Sequence, residues 1–552
     1  MNRTAVQALR HVDHIPAQQR RAWAAGGFYP DRDLYSQFRA HVDRDPSAPA
    51  VIDADGVVGY GELDDMTRRL AAGLSRLGIG DGEVVAVQLP NGRLSCATEL
   101  ALAALGAIAL PFPVGRGERE AENLLRRSEA VAVITVAEHR GFPNAARIRE
   151  HAATLPGLRA VVAAGGEVQG CVPIDALLAS DARAFVHRPV DPDKPVRVLV
   201  TSGSEAEPKM VLYSHNALSG GRGALMGALH HDRAAMRSFF LTPLGSAFGS
   251  SGTPVTLAAF GATLVVQPAF DPAHTLAMIE SARVTHVFGV PTMLRMLMEC
   301  PAVHDTDLSS LCAVVLGGAA LDPDTARRGS EIMGCPVVPI YGSADGVGCH
   351  NGLTPYDGTI GRPIPGVTDI RAVDEKGQPV PAGTAGELVS RGPMSPMCYF
   401  NSPELDVKLR TADGWSRTGD IGVFDENGRI TIIGRCKDVV IRGGLNISPA
   451  EVESVLITHP DISDVACVSV PDPTYGERLC ACVATSAELD LTDLTKHLAS
   501  FGMDPRKFPE RLLVLPNLPL GAAGKVDRRA LRGQAAENAT GDDARPARNL
   551  PA

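Results

Sequence analysis

The sequence predicts an α/β protein with parallel sheets, followed by a β-rich subdomain and a further small unit. Three observations carry this. Short runs rich in Val, Ile, Leu and Ala alternate with amphipathic helical patterns, and strands apolar on both faces belong to parallel sheets covered on both sides. From about Gly366 the texture changes to runs joined by hairpin signals. At 552 residues the chain is also too long for one ordinary core.

The elements follow in order. Leu63, Met66, Leu70, Leu74 and Leu77 recur at three- and four-residue steps on one helical face, ended by Gly78 and Gly80. An apolar run from Val84 to Leu89 follows, then a helical pattern leading to Gly106–Leu110, and short runs at Val131–Val136 and Val161–Val162. The alternation continues through Arg197–Thr201, Thr263–Gln267, Thr285–Val290, Cys312–Leu316 and Pro336–Ile340. Asp374-Glu375-Lys376-Gly377 and Asp425-Glu426-Asn427-Gly428 each sit between β-rich runs and predict hairpins. After Gly434-Arg435 a new unit begins, with a helix over Pro449–Thr458 and a strand over Val465–Val470. Residues 532–552, aperiodic and rich in Ala, Asn, Asp, Pro and Arg, are expected to be a disordered tail.

Composition excludes several classes. A net charge of -10 leaves no electrostatic footprint for nucleic acid. The longest apolar run, Ala101–Val114, is broken by Gly106, Pro111 and Pro113 and is too short for a bilayer. Arg20-Arg21 is followed by no apolar stretch, so it reads as an exposed helix end rather than an export signal. The eleven cysteines are odd in number and scattered through apolar runs, which points to reduced core residues in a cytoplasmic protein. Cys480 and Cys482, two apart in a strand, read as packing rather than as half of a metal knuckle.

Chemistry concentrates in a few loops. Thr201-Ser202-Gly203-Ser204 through Lys209 follows an apolar strand, and backbone amides and hydroxyls around a glycine can face a phosphate chain. Taken alone, such a loop is as well explained by a polar turn. It is accompanied by Leu316-Gly317-Gly318-Ala319-Ala320, Tyr341-Gly342-Ser343-Ala344-Asp345, Gly414 to Asp420, Gly434-Arg435-Cys436-Lys437-Asp438, Gly443 to Glu453, and Gly524-Lys525-Val526-Asp527-Arg528.

In order and spacing these motifs resemble the ANL superfamily of adenylate-forming enzymes: acyl-CoA synthetases, peptide-synthetase adenylation domains and luciferases. The resemblance covers roughly residues 30–531. It implies a large N-terminal domain, 1–434, of two parallel α/β subdomains plus a β-rich subdomain at about 366–434, and a small mobile α+β C-terminal domain, 435–531. It further implies an acid–thiol ligase that makes an acyl-CoA through an acyl-AMP intermediate. Gly317, Gly318, Ala319 and Tyr341 would flank the adenine, with Ala344 and Asp345 beside the AMP. Asp420 would accept from the ribose hydroxyls and Arg435 would donate nearby. Thr201, Ser202, Gly203, Ser204 and Lys209 would form the phosphate loop. Lys525 would bridge the acyl carboxylate and the α-phosphate, and Lys437 would be the hinge of a rotating small domain. Gly443 and Gly444 would line a coenzyme A tunnel, where glycine permits close approach. Gly245, Ser246, Phe248 and Gly342 would border the acid, and Asp345 would be a weak magnesium ligand.

Three departures from the family pattern sharpen the expectation. In the phosphate loop, Glu205, Ala206 and Met210 replace Thr, Gly and Gly. A carboxylate about 4 Å from a phosphate is repelled by roughly 1–4 kcal/mol, depending on the dielectric. Ala344-Asp345 stands where Thr-Glu is usual, shortening the magnesium carboxylate by one methylene. These changes predict poor adenylation, with acyl-adenylate supplied by a separate ligase and only the thioester half-reaction retained. Lys525 argues the other way. Third, Gly245 and Ser246 replace two rings, predicting a pocket for a bulky, largely apolar acid, with local repacking as the alternative. A carrier-protein-loading adenylation enzyme and an inactive adenylate-binding protein are the competing readings.

Overall fold

The computed structural model describes residues 11–114, 118–201, 208–411, 413–436, 438–442, 445–472, 475–521 and 526–541. Two eight-stranded sheets dominate. The first runs in the order Gly348–His350, Val337–Gly342, Ala313–Gly317, His286–Gly289, Arg237–Phe240, Thr263–Val266, Pro49–Asp53, Gly56–Gly59. Its inner pairs are parallel and both edges are antiparallel. The second runs Cys398–Tyr399, Met210–Ser214, Pro195–Val200, Ile108–Pro111, Val84–Gln88, Ala132–Val136, Ala160–Ala164, Val172–Pro173. It is parallel from Pro195–Val200 onward and antiparallel at its other end.

Every residue of Val84–Gln88 and Ala313–Gly317 is buried, as strands covered on both faces require. The helix Tyr60–Arg76 buries Leu63, Leu70 and Leu74, the face that its periodicity defines. Four strands, Asp369–Val373, Gly386–Arg391, Ser416–Phe424 and Ile430–Arg435, make the β-rich sheet. Its two predicted turns share one device. Asp374 Oδ1 accepts from the Lys376 and Gln378 amides, and Asp425 Oδ1 from those of Asn427 and Arg429.

Cα packing divides the chain into a larger unit, up to residue 201 with 208–371 and 389–418, and a smaller unit of 372–388 and 419–541. Within the smaller unit a five-stranded sheet runs Leu445–Ile447, Val440–Arg442, Gly476–Ala484, Asp464–Asp472, with Arg511–Leu515 parallel to Gly476–Ala484. Helices Pro449–Leu456, Leu491–Ser500 and Arg528–Gly541 complete it. Cys480 and Cys482 are both buried in one apolar cluster with Ala466, Val468 and Leu531, so they pack side by side. Among the described residues no group of three His, Cys, Asp or Glu side chains could hold a metal.

Two expectations need correction. Residues 532–541 are not disordered but continue the helix from Arg528 to Gly541. Asp527 Oδ1 accepts from the Arg529 and Ala530 amides at its start, and Leu531 and Ala535, one turn apart, are buried. Ala, Gln and Glu favour helix without needing a long apolar stripe. Residues 542–552 lie outside the described residues. Arg20, expected at an exposed helix end, is buried in the helix Ala17–Ala25 and bridges Asp13 and Asp193. No helix among the described residues is long and apolar enough to cross a membrane.

Candidate active site

In the larger unit, candidate residues gather at the C-terminal ends of neighbouring strands, where open α/β sheets bind ligands. Ala313–Gly317 and Val337–Gly342 are parallel partners with Gly317 opposite Ile340. Beyond Gly317 the chain surfaces: Gly318, at φ +81°, and Ala319 are exposed. Gly317 itself is buried, and a Cβ there would lie 3.1 Å from Ile340 Cγ2 and 3.2 Å from its carbonyl oxygen. Tyr341 is half-buried and Gly342 exposed on the adjacent strand end. A half-covered ring beside exposed main chain suits a flat heterocycle.

The turn after Gly342 is fixed by hydrogen bonds. The Tyr213 hydroxyl donates to the Ala344 carbonyl at 2.7 Å, and the Asp345 amide donates to Ser343 Oγ at 3.1 Å. Asp345 is buried, and its Oδ1 accepts from the Tyr399 hydroxyl at 2.6 Å and from Lys209 Nζ at 3.4 Å. The Lys209 ammonium also stands 5.6 Å from the Tyr399 ring centroid. Burial, and then the Asp345 charge, push the Tyr399 phenol far above its ordinary pKa and keep it a donor. Behind it, Asp406 accepts from the Tyr399 amide and from Arg410 Nε at 2.8 Å. Thr201 and Lys209 are joined by two hydrogen bonds: the Thr201 amide donates to the Lys209 carbonyl at 3.0 Å, and the Lys209 amide to Thr201 Oγ1 at 3.1 Å.

Among the described residues around this turn, Asp345 offers a carboxylate that could meet magnesium. A lone carboxylate fits an ion that arrives on nucleotide phosphates and keeps waters, rather than one caged by protein.

The segment Pro243–Gly249 is a tightly pinned loop. A Cβ at Gly245 would lie 3.3 Å from the Phe112 N, Cα and C atoms, so main chain already fills the direction a side chain would take. Ser246 turns its hydroxyl inward to accept from the Gly249 amide at 3.0 Å. At Gly245 this matches the local repacking that the sequence leaves as the alternative to an open pocket. Phe248 is half-buried, edge-on to the stacked pair Phe240 and Phe288, and 3.5 Å from where a Gly317 Cβ would sit.

Gly249 makes this turn possible. A Cβ there would meet the Pro243 carbonyl oxygen at 2.1 Å, and that oxygen already accepts from the Ser246 amide at 2.9 Å and cannot retreat. Gly249→Ala is expected to cost about 1–3 kcal/mol, read as a lower urea midpoint of tryptophan fluorescence.

In the smaller unit, Asp420 and Arg435 face each other across the hairpin of Ser416–Phe424 and Ile430–Arg435. Arg435 Nε lies 2.8 Å from Asp420 Oδ1; the carboxylate is buried, whereas the arginine side chain is 52% exposed. Ser202, Gly203, Ser204, Lys437, Gly443, Gly444 and Lys525 lie outside the described residues. Sequence reasoning missed Tyr399, Tyr213 and Arg222, isolated polar-tipped residues in apolar stretches. Their only signal is an unpaired polar function in a run otherwise destined for the core.

Comparison with known proteins places this geometry. The profile of the family described as AMP-binding enzyme matches residues 38–400, and that of the AMP-binding enzyme C-terminal domain matches 451–525. A 2-hydroxy-7-methoxy-5-methyl-1-naphthoate–CoA ligase of Streptomyces carzinostaticus is 31% identical over 533 residues, covering 93% of this chain and 95% of that protein. The salicyl-AMP ligase / salicyl-S-ArCP synthetase of Mycobacterium tuberculosis is 30% identical over 532 residues, covering 94% and 93%. Among solved structures, ATP-bound MatB from Rhodopseudomonas palustris superposes with a TM-score of 0.82 at 26% identity, covering 91% of this chain and 99% of that one. The two matching profiles and relatives at 30–31% identity over nearly the whole chain make one case: the chain belongs to the AMP-binding enzyme family, the adenylate-forming ANL superfamily that activates aryl and acyl acids.

Proposed function

We propose that this protein is an acid–thiol ligase that converts an aryl or acyl acid to its acyl-adenylate and passes the acyl group to coenzyme A. The observation that carries the reading is the buried Asp345 carboxylate held beside Lys209 at the phosphate-loop neck. An ammonium there counters phosphate charge, and the carboxylate can take a nucleotide-borne magnesium. On this reading Gly317, Gly318, Ala319 and Tyr341 flank the adenine, and Asp420 and Arg435 hold the ribose. Lys525 lies against the carboxylate and α-phosphate, Lys437 is the hinge between a large domain ending near 434 and a small one, and Gly443-Gly444 admits the pantetheine arm.

Mechanistically, Lys525 neutralises charge that builds as the acid's carboxylate oxygen attacks the α-phosphate and pyrophosphate leaves. The CoA thiolate then attacks the acyl carbonyl carbon, and AMP departs with the bond electrons. Magnesium, when bound, supplies charge neutralisation to the departing pyrophosphate. Tyr399 keeps the Asp345 carboxylate oriented by its short hydrogen bond.

A second reading, the thioester half-reaction alone, is favoured by Glu205 and Ala206, which stand where the family pattern has Thr and Gly. One experiment separates them: acid with ATP and magnesium in one tube, synthetic acyl-adenylate in another, each with CoA or with a carrier protein. Thioester from both tubes with CoA is the expected result, and Lys525→Ala should abolish it in the first tube only. Product from the adenylate tube alone identifies the half-reaction enzyme, product only on the carrier identifies the carrier-loading enzyme, and none in either overturns ligase function.

A further inference from the structure

Three arginines of the described chain are buried to more than nine-tenths: Arg20, Arg197 and Arg222. The first two are neutralised in the usual way for buried charge. Arg20 bridges Asp13 and Asp193, and Arg197 Nη1 lies 2.7 Å from Glu99 Oε2. Arg222 is different. It is 7% exposed and forms no ion pair with any described carboxylate, and its Nε has no hydrogen-bond partner among the described residues. Its Nη1 donates to the Ala247 carbonyl at 3.0 Å and to Ser250 Oγ at 2.8 Å, and its guanidinium lies 5.1 Å from the Tyr213 ring centroid. Such contacts position the group, yet they cancel none of its charge.

The surroundings sharpen the imbalance. Burial lowers the Arg197 pKa, Glu99 raises it, and the nearby Arg222 charge lowers it again, so the two cations are close enough to repel. A guanidinium cannot escape by losing its proton. The loop that it touches, Pro243 to Gly249, is the one assigned to the acid, and Tyr213, on which it lies, donates to Ala344 in the nucleotide-side turn. An uncompensated cation thus lies between the Pro243–Gly249 loop and that turn.

We propose that Arg222 is a specificity-determining residue that receives a second oxyanion of the acid substrate, a carboxylate or phenolate besides the reacting carboxyl. The inference rests on the ligase reading above and narrows its substrate class: an aryl or acyl acid with an anionic substituent, rather than a wholly apolar one. A guanidinium matches an oxyanion with strong, charge-assisted hydrogen bonds. The bound substituent supplies the missing negative charge, whereas a neutral isostere leaves the cation buried and bare.

The test uses the full-length protein and matched pairs: isophthalate against its monomethyl ester, and salicylate against 2-methoxybenzoate. Acid binding is measured by calorimetry without nucleotide, and kcat and KM by thioester formation. At least one oxyanion member is expected to be preferred by about 10–100-fold, as for hydrogen bonds to a charged group, mainly through KM. Arg222→Met is expected to reduce that ratio to within about threefold, and Arg222→Lys, which keeps charge without the fork, to restore part of it. Were Arg222 only a pin for the loop, Arg222→Met would weaken both members of a pair alike and the ratio would persist, overturning the proposal. So would an unmodified enzyme that activates these acids without preferring either member, a result independent of how the variants fold. If no acid and no synthetic acyl-adenylate yields thioester, the ligase reading itself fails, and calorimetric preference for the oxyanion member still decides the role of Arg222.

Discussion

Asp420→Ala should lower kcat/KM for ATP, or for a supplied acyl-adenylate, by about 10²–10⁴-fold. A carboxylate that accepts from two ribose hydroxyls makes two hydrogen bonds to a charged group, each worth about 1.5–3 kcal/mol. Asp420 is suited to that task because it is buried and its orientation is set by strand pairing opposite Arg435. Arg435 is half in solvent, so loss of its partner costs little stability, and the deficit should appear in nucleotide binding rather than in folding. Asp420→Asn keeps the shape but removes the charge and should fall between wild type and alanine. Equilibrium titration with AMP, compared with thermal melting of the same samples, checks both halves. A variant that binds AMP as tightly as the wild type would remove Asp420 from the ribose site.

The second large effect is structural. Glu99→Ala leaves the Arg197 guanidinium buried without its carboxylate, and breaking a buried pair from one side costs about 3–5 kcal/mol. Burial raises the Glu99 pKa and lowers that of Arg197 even with each beside the other, so desolvation is large here. Arg197 Nη2 also holds the Leu244 carbonyl at 2.7 Å, so the acid loop should loosen with the pair. Replacing both partners, Glu99→Leu with Arg197→Met, removes both charges and should recover most of the loss. The readout is convenient because both tryptophans, Trp23 and Trp415, lie in the larger unit. Their fluorescence in urea therefore follows the part that contains the pair, although unfolding of the whole chain need not be two-state.

The sequence was legible where a local rule governs the outcome. Strands covered on both faces announce themselves as unbroken apolar runs, and Val84–Gln88 and Ala313–Gly317 fall where such runs place them. Gly317, Gly318, Tyr341 and Gly342 stand out for the same reason: they sit where such apolar runs end. At Gly245 the choice between open pocket and repacking is not legible, because the consequence of a missing side chain depends on what the fold brings against it. The Phe112 main chain, far away in sequence, occupies that space. Tyr399 and Arg222 were illegible in another sense. Neither has a patterned neighbour; what distinguishes them is a partner met or missed across the fold, Asp345 in one case and no carboxylate in the other. The helix through residues 532–541 is anchored by an Asp527 cap, by ion pairs of Arg528 with Glu453 and Arg532 with Asp438, and by buried Leu531 and Ala535, none of which shows as an apolar period.

The ordering of strands in the first sheet has a consequence for synthesis of the chain. Pro49–Asp53 emerges early from the ribosome and can pair at once with Gly56–Gly59, yet on its other side it awaits Thr263–Val266. At about 5–20 residues per second, that partner arrives roughly 10–40 s later. Meanwhile a hairpin with one open, apolar edge must be sheltered, and the second sheet, drawn from the intervening segment except for its edge strand Cys398–Tyr399, can form first. Nascent chains halted just short of residue 263 should accordingly expose that edge to chaperones and proteases, and chains extended past it should not.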